Sequence, residues 1–176
     1  MVTTFWKIFI KLFSFVALSV SSVLLFPFFF PYDSNGYLAA YTDQQQLLAS
    51  TPSPKIIIIG GSNAAFGLDG EKIGKETGYH VVNTALQAGL GLEFMMKATK
   101  PFVRSGDIVL ISPEYEQFGP AYTGGEWIGM LYVVDPHSIK YITSLRQVAK
   151  FLGQLLTIMR EEGKELMVLF GSKSDS

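Results

Sequence analysis

No cysteine occurs anywhere in the 176 residues, which excludes disulfides, thiolate metal sites and a cysteine nucleophile together. Stability outside the cell must then come from packing alone. Histidine is nearly as scarce, with only His80 and His137, and nowhere do imidazoles and carboxylates cluster at metal-ligand spacing. No metal site is expected. Charge is sparse and balanced, 14 Lys and Arg against 15 Asp and Glu, and the cations are scattered. The basic stripe of a nucleic-acid binder is missing. Neither G-x-G-x-x-G nor a Gly-Lys-Ser/Thr phosphate loop is present, so dinucleotide and P-loop readings are weak and no cofactor is expected. The length suits one modest domain plus an anchor, with little room for a second core.

Charge is wholly absent from Leu12 to Tyr32, a run rich in Phe, Leu and Val. It is long enough to cross a hydrocarbon core of about 30 Å at about 1.5 Å per residue. Lys7 and Lys11 precede the run, while Asp33 and Asp43 follow it. The positive-inside bias therefore places the N-terminus in the cytoplasm and the rest outside, anchored to the plasma or inner membrane by a single pass. A cleaved signal peptide is the rival reading. Its apolar part is shorter and ends in an A-x-A-like site, whereas this run closes with FPFFFPY. Residues 1–32 are thus read as a cytoplasmic tip and uncleaved transmembrane anchor, with Pro27 and Pro31 at the outer interface.

Residues 33–54 are polar and read as a juxtamembrane linker with one short helix around AAYTDQQQLLAS. The α/β domain is placed at 55–176. Lys55 leads four consecutive isoleucines, a β-branched run without alternation that suits a strand covered on both faces of a parallel sheet. Asp69 is the expected N-cap of a helix through Glu76 that stops at Gly78. HVVNTAL is a second strand, and a helix with Leu92, Met95, Met96 and Thr99 at helical spacing comes next, its methionines read as core filling. Asp107 to Ser112 forms a third strand. This strand–helix alternation predicts a three-layer parallel α/β sheet with right-handed crossovers, of flavodoxin-like type. A helix from Ser144 to Glu162, a stop at Gly163 and a fourth strand ELMVLF are expected to follow.

Three strand ends converge on one edge of such a sheet. They bring Gly60-Gly61-Ser62-Asn63, the turn from Ala85 to Gly91, and Pro113 to Glu116. A serine nucleophile there needs N–H groups for an oxyanion, a base and a group to orient the base. Free N–H groups at a helix start after Ser62 and in the QAGLG turn supply the first of these. At these residues the chain resembles the SGNH or GDSL-like hydrolases. GGSN matches their first block, with Gly61 in place of Asp or Ser. NTALQAG is similar to the second block, N-x-x-x-x-G, through Asn83 and Gly89, with a one-residue slip onto Ala88 open. In place of the third-block asparagine, ISPEYEQF offers Glu114, Tyr115 and Glu116.

The Ser-Pro-x-aromatic turn, the anchor and the serine turn together are similar to membrane-tethered SGNH proteins of teichoic-acid D-alanylation and exported-polysaccharide acylation. The resemblance covers about residues 55 to 120. It implies an extracytoplasmic esterase or O-acyltransferase with Ser62 as nucleophile and the N–H groups of Ser62 and Gly89 as oxyanion donors. Asn63, Asn83, Glu114, Tyr115 and Glu116 would lie along the substrate. A cell-envelope glycan or acyl-carrying lipid would be the substrate, and a membrane acyltransferase the partner. The family's base comes from a late D-x-x-H element, and this chain has none. Asp135-Pro136-His137 is one residue short and precedes the last helix, so His137 reads as a solvated loop residue, and His80 starts a strand at the wrong sheet end.

The chain is therefore expected to be either a member truncated before that element or one whose second half is encoded elsewhere, holding the serine without its base. The competing reading is a non-catalytic envelope protein, in which GGSN is only a tight turn and helix cap. In it, the aromatic loop of Tyr115, Phe118, Tyr122 and Trp127 binds a partner in cell-wall or exopolysaccharide assembly. Pairing Glu114 with Glu116 as a glycosidase acid and base is a weaker reading still.

Overall fold

The computed structural model describes residues 2–29, 36–118 and 124–171. Pro31, Tyr32, Asp33 and Tyr122 lie outside the described residues, as do positions 172–176. The first element is a long helix, α1 (Val2–Phe29). Its Thr4–Leu25 stretch is long and apolar enough to cross a membrane, and residues 4–22 are all exposed. The helix begins well before the charge-free run, takes in Lys7 and Lys11, and continues past Pro27 to Phe29. Pro27 therefore does not end it. A proline removes one N–H donor, and a helix can carry that single missing bond.

The domain is mixed α/β. Among the described residues its strands are β1 (Lys55–Gly60), β2 (His80–Asn83) and β3 (Ile108–Ser112), all parallel in the order β2-β1-β3. Ile57 lies between Val82 and Val109, so the isoleucine run occupies the central strand. Its alternate residues feed two separate clusters. Ile57 and Ile59 point into a core with Leu38, Tyr41 and Leu48 of the segment through α2 (Ala40–Ser50), and with Phe94, Met95 and Ala98 of α5 (Leu92–Thr99). Ile56 and Ile58 meet Ala64 and Ala65 of α3 (Ser62–Gly67) and Ile73 of α4 (Gly70–Thr77). A strand buried from both sides has no polar face to alternate, which is why the run is uniformly apolar.

The segment expected to be a linker contributes to this core, because Leu38, Tyr41 and Leu48 are buried in it. The local signals around α4 act as anticipated: Asp69 accepts the Lys72 N–H at 3.0 Å, and Gly78 closes the helix in the left-handed region at φ 76°. β2 is shorter than HVVNTAL, but the chain stays beside β1. The Thr84 N–H and hydroxyl both donate to the Ile58 carbonyl, at 2.8 and 2.7 Å, and the Leu86 N–H donates to the Gly60 carbonyl at 3.1 Å. Of the two methionines, Met95 is buried and Met96 is exposed.

The expected fourth strand does not form. Residues 165–170 are helical, within one element α7 (Leu145–Gly171) that runs through Gly163. The segment is rich in Glu, Leu and Met, all strong helix formers, and a single interior glycine costs a helix only about 1 kcal/mol. No turn separates the segment from the helix before it. α7 packs on α6 (Ile128–Val134), where the Gly129 N–H donates to Gln154 Oε1 at 2.6 Å and Tyr132 meets Phe151 edge-on at 5.2 Å. The Tyr132 hydroxyl also donates to the Leu24 carbonyl at 2.9 Å, and Val23 and Leu24 pack on this helix pair. The C-terminal part of α1 thereby rests against the domain.

Candidate active site

Gly60 ends β1, and the chain turns at once into α3, so Ser62 sits at the carboxyl end of the central strand. The turn is tight for a steric reason. A Cβ on Gly60 would come within 2.6 Å of the Ser112 carbonyl oxygen and 2.8 Å of Ala64 Cβ. Ser62 is half-buried, and its hydroxyl donates to Glu114 Oε1 at 3.0 Å. The neighbouring Asn63 N–H donates to the same oxygen at 3.3 Å. Glu114 arrives from the turn after β3, as the parallel order β1-β3 dictates.

A second set of bonds ties that turn to the one after β2. The Glu114 N–H donates to Gln117 Oε1 at 2.9 Å, and Gln117 Nε2 donates to the Ala88 carbonyl at 3.3 Å. Ala88 in turn lies against the serine turn, since a Cβ on Gly61 would meet Ala88 Cβ at 2.9 Å. The three strand-end loops are thus bonded or packed to one another around Ser62. Gly89 follows in the same turn, with the Trp127 ring laid over it; a Cβ there would fall 2.2 Å from Trp127 Cδ1. The first N–H groups of a helix have no intrahelical acceptor, and Ser62 and Gly89 each occupy one of the first two positions of a helical turn.

The other residues singled out in the sequence separate in the fold. Asn83 commits its amide to the scaffold: Nδ2 donates to the Ala64 and Leu68 carbonyls at 3.1 and 3.4 Å, and Oδ1 accepts the Ala85 N–H at 3.0 Å. Asn63 is exposed, with Oδ1 turned back to the Ala64 N–H at 2.7 Å. Tyr115, Glu116 and Phe118 are all exposed on the 3₁₀ turn after Glu114. His80 opens β2 at the opposite end of the sheet from Ser62, and His137 is an exposed residue of the 3₁₀ segment after α6. Among the described residues there is no metal-binding cluster.

Tyr37 and Gln44 also shape the site, although no sequence motif marks them. The Tyr37 hydroxyl donates to the Leu86 carbonyl at 2.6 Å, and Gln44 Nε2 donates to the Ala85 carbonyl at 3.0 Å. Both hold the turn after β2. The Tyr37 ring stacks on the exposed Phe66 of α3 at 5.5 Å. Burial, and then the charge of Glu114, raise the Tyr37 pKa above the usual phenol range, so its hydroxyl stays a donor. The sequence signal for the Ser62–Glu114 pair was Gly61: a Cβ there would lie 2.2 Å from Glu114 Oε1 and 2.7 Å from its Cδ, so only glycine leaves room for the carboxylate.

No family model matches this chain, and no curated protein or solved structure matches it.

Proposed function

We propose that the protein is a membrane-anchored, extracytoplasmic domain of SGNH type that hydrolyses or transfers an ester-linked acyl group through Ser62. The observation that carries this reading is the placement of the Ser62 hydroxyl at the carboxyl end of the central parallel strand, hydrogen-bonded to a carboxylate at 3.0 Å. A hydroxyl in hydrogen-bond contact with a proton acceptor is the arrangement an activated serine needs. The Gly89 N–H, beside the Ala88 that packs on the serine turn, supports the oxyanion role. The long apolar α1 supports a single-pass anchor, and the lysines near its start support a cytoplasmic N-terminus. A domain held at that surface would meet envelope glycans or acyl-carrying lipids, and a membrane acyltransferase would be its partner.

The test is labelling with a fluorophosphonate probe, comparing the full chain in detergent with Ser62→Ala. Rapid labelling of the native chain that disappears in the variant is expected. A folded native chain that does not label would sink the reading.

One observation favours a second reading, a non-catalytic envelope protein that captures a partner. Ile108, Val109, Leu110 and Ile111 of β3, which among the described residues pairs with β1 alone, are 46%, 37%, 43% and 45% exposed, and an apolar sheet edge is a template for another strand. A photo-crosslinker at position 110 that traps a defined partner in cells, combined with no probe labelling, would favour it.

A further inference from the structure

We propose that Glu114 is the general base of this site, taking the place that imidazole holds in most serine hydrolases. The inference rests on the reading of Ser62 as nucleophile and goes beyond it, because no histidine is needed. Oε1 is the acceptor of the Ser62 hydroxyl at 3.0 Å, within the reach a general base requires. The carboxylate does not hang free. It also accepts the Asn63 N–H at 3.3 Å, and its own backbone is held through Gln117, which the Ala88 carbonyl holds in turn. This is the orienting layer that a base needs to keep one geometry through a reaction. Gly61 leaves the space this carboxylate needs, since any side chain there would occupy the volume of the Glu114 carboxylate.

The reaction balances with these groups alone. Glu114 Oε1 takes the Ser62 hydroxyl proton as Oγ bonds to the carbonyl carbon of the ester, and the C=O π pair moves onto the carbonyl oxygen. That pair returns, the bond to the leaving alcohol oxygen breaks, and Glu114 passes the proton to that oxygen. Acyl-Ser62 remains. Water or an acceptor hydroxyl then attacks the acyl carbon while Glu114 takes its proton. As the bond to Oγ breaks, Glu114 returns a proton to Ser62. Water gives hydrolysis, and a glycan or lipid hydroxyl gives transfer.

The test measures fluorophosphonate labelling rates for the full chain in detergent and for Ser62→Ala, Glu114→Gln and Glu114→Ala, each checked for native melting. In Glu114→Gln the amide oxygen can accept the same two hydrogen bonds, so orientation survives while basicity is lost. Its labelling is expected to slow by about 100-fold or more. Glu114→Ala opens a space beside Ser62, and added formate should restore its labelling in proportion to concentration. Glu114→Gln labelling as fast as the native chain overturns the base role while leaving the Ser62 reading intact. Slow labelling of both variants without any response to formate also overturns it, leaving Glu114 a positioning residue only. A folded native chain that never labels overturns this inference and the Ser62 reading together.

Discussion

Gly61 and Asp107 show how much a single position can carry here. Gly61→Ala would place a methyl 2.2 Å from Glu114 Oε1 and 2.9 Å from Ala88 Cβ. Overpacking of this kind costs about 1–3 kcal/mol, and the carboxylate must swing off Ser62. Labelling of Ser62 is expected to fall much more than the melting temperature, and equal labelling would show that the contact is irrelevant. Asp107 is buried with Lys55 and accepts from Lys55 Nζ at 3.1 Å, the Lys55 N–H at 3.0 Å and the Arg104 N–H at 2.8 Å. Burial pushes its pKa up, but the hydrogen bonds from Arg104, Ser53 and Lys55 outweigh this and bring it to about 2. The folded form thus binds the proton more weakly than the unfolded chain, whose carboxyl sits near 3.8. The contribution is complete above about pH 4 and is lost as pH falls through about 2. Asp107→Asn leaves the Lys55 ammonium buried and unpaired, and should cost about 3–5 kcal/mol in denaturant titrations at neutral pH. It should also flatten the acid-side loss.

At the level of elements, β1 and β3 are similar in sequence and opposite in environment. The central strand is covered by helices on both faces, whereas β3 is the sheet edge with its apolar residues half in solvent. Ile58→Ala should therefore cost about 2–5 kcal/mol. Leu110→Thr should cost less than about 1 kcal/mol. Urea midpoints of the two variants check the contrast, and similar losses would mean that β3 is covered in solution. The same comparison explains what was legible. A run of isoleucines announces a strand, but not whether neighbours lie on one side or both. The caps of α4 were readable because Asp69 and Gly78 act on bonds within a few residues of themselves. The expected strand at 165–170 failed for the converse reason: a short apolar segment takes its form from what it can pair with, and here it continues α7.

For the whole molecule, α1 and the domain are connected by more than the chain, since Tyr132 bonds the Leu24 carbonyl and Val23 and Leu24 pack against α6 and α7. Under the proposed membrane-anchored reading, the domain sits close to the membrane surface. The absence of native cysteine makes the orientation simple to test. Glu76→Cys, on the exposed face of α4, is expected to react with a membrane-impermeant maleimide on intact cells, whereas Thr4→Cys should react only after permeabilisation. The reverse pattern would invert the topology and remove the envelope substrates from the proposed function.

The sequence by itself determined the long apolar N-terminal segment, the α/β class, the central strand and the serine turn, because each depends on hydropathy or on backbone demands within a few neighbouring residues. It also placed Gly61, Ser62 and Glu114 at strand ends, without joining them. Only the tertiary structure decided that Glu114 is the hydrogen-bond partner of Ser62, that Gln117 and Tyr37 support the site, and that Asn83 belongs to the scaffold. Those contacts lie between residues many positions apart, and they form only when parallel pairing brings the ends of three strands to one edge.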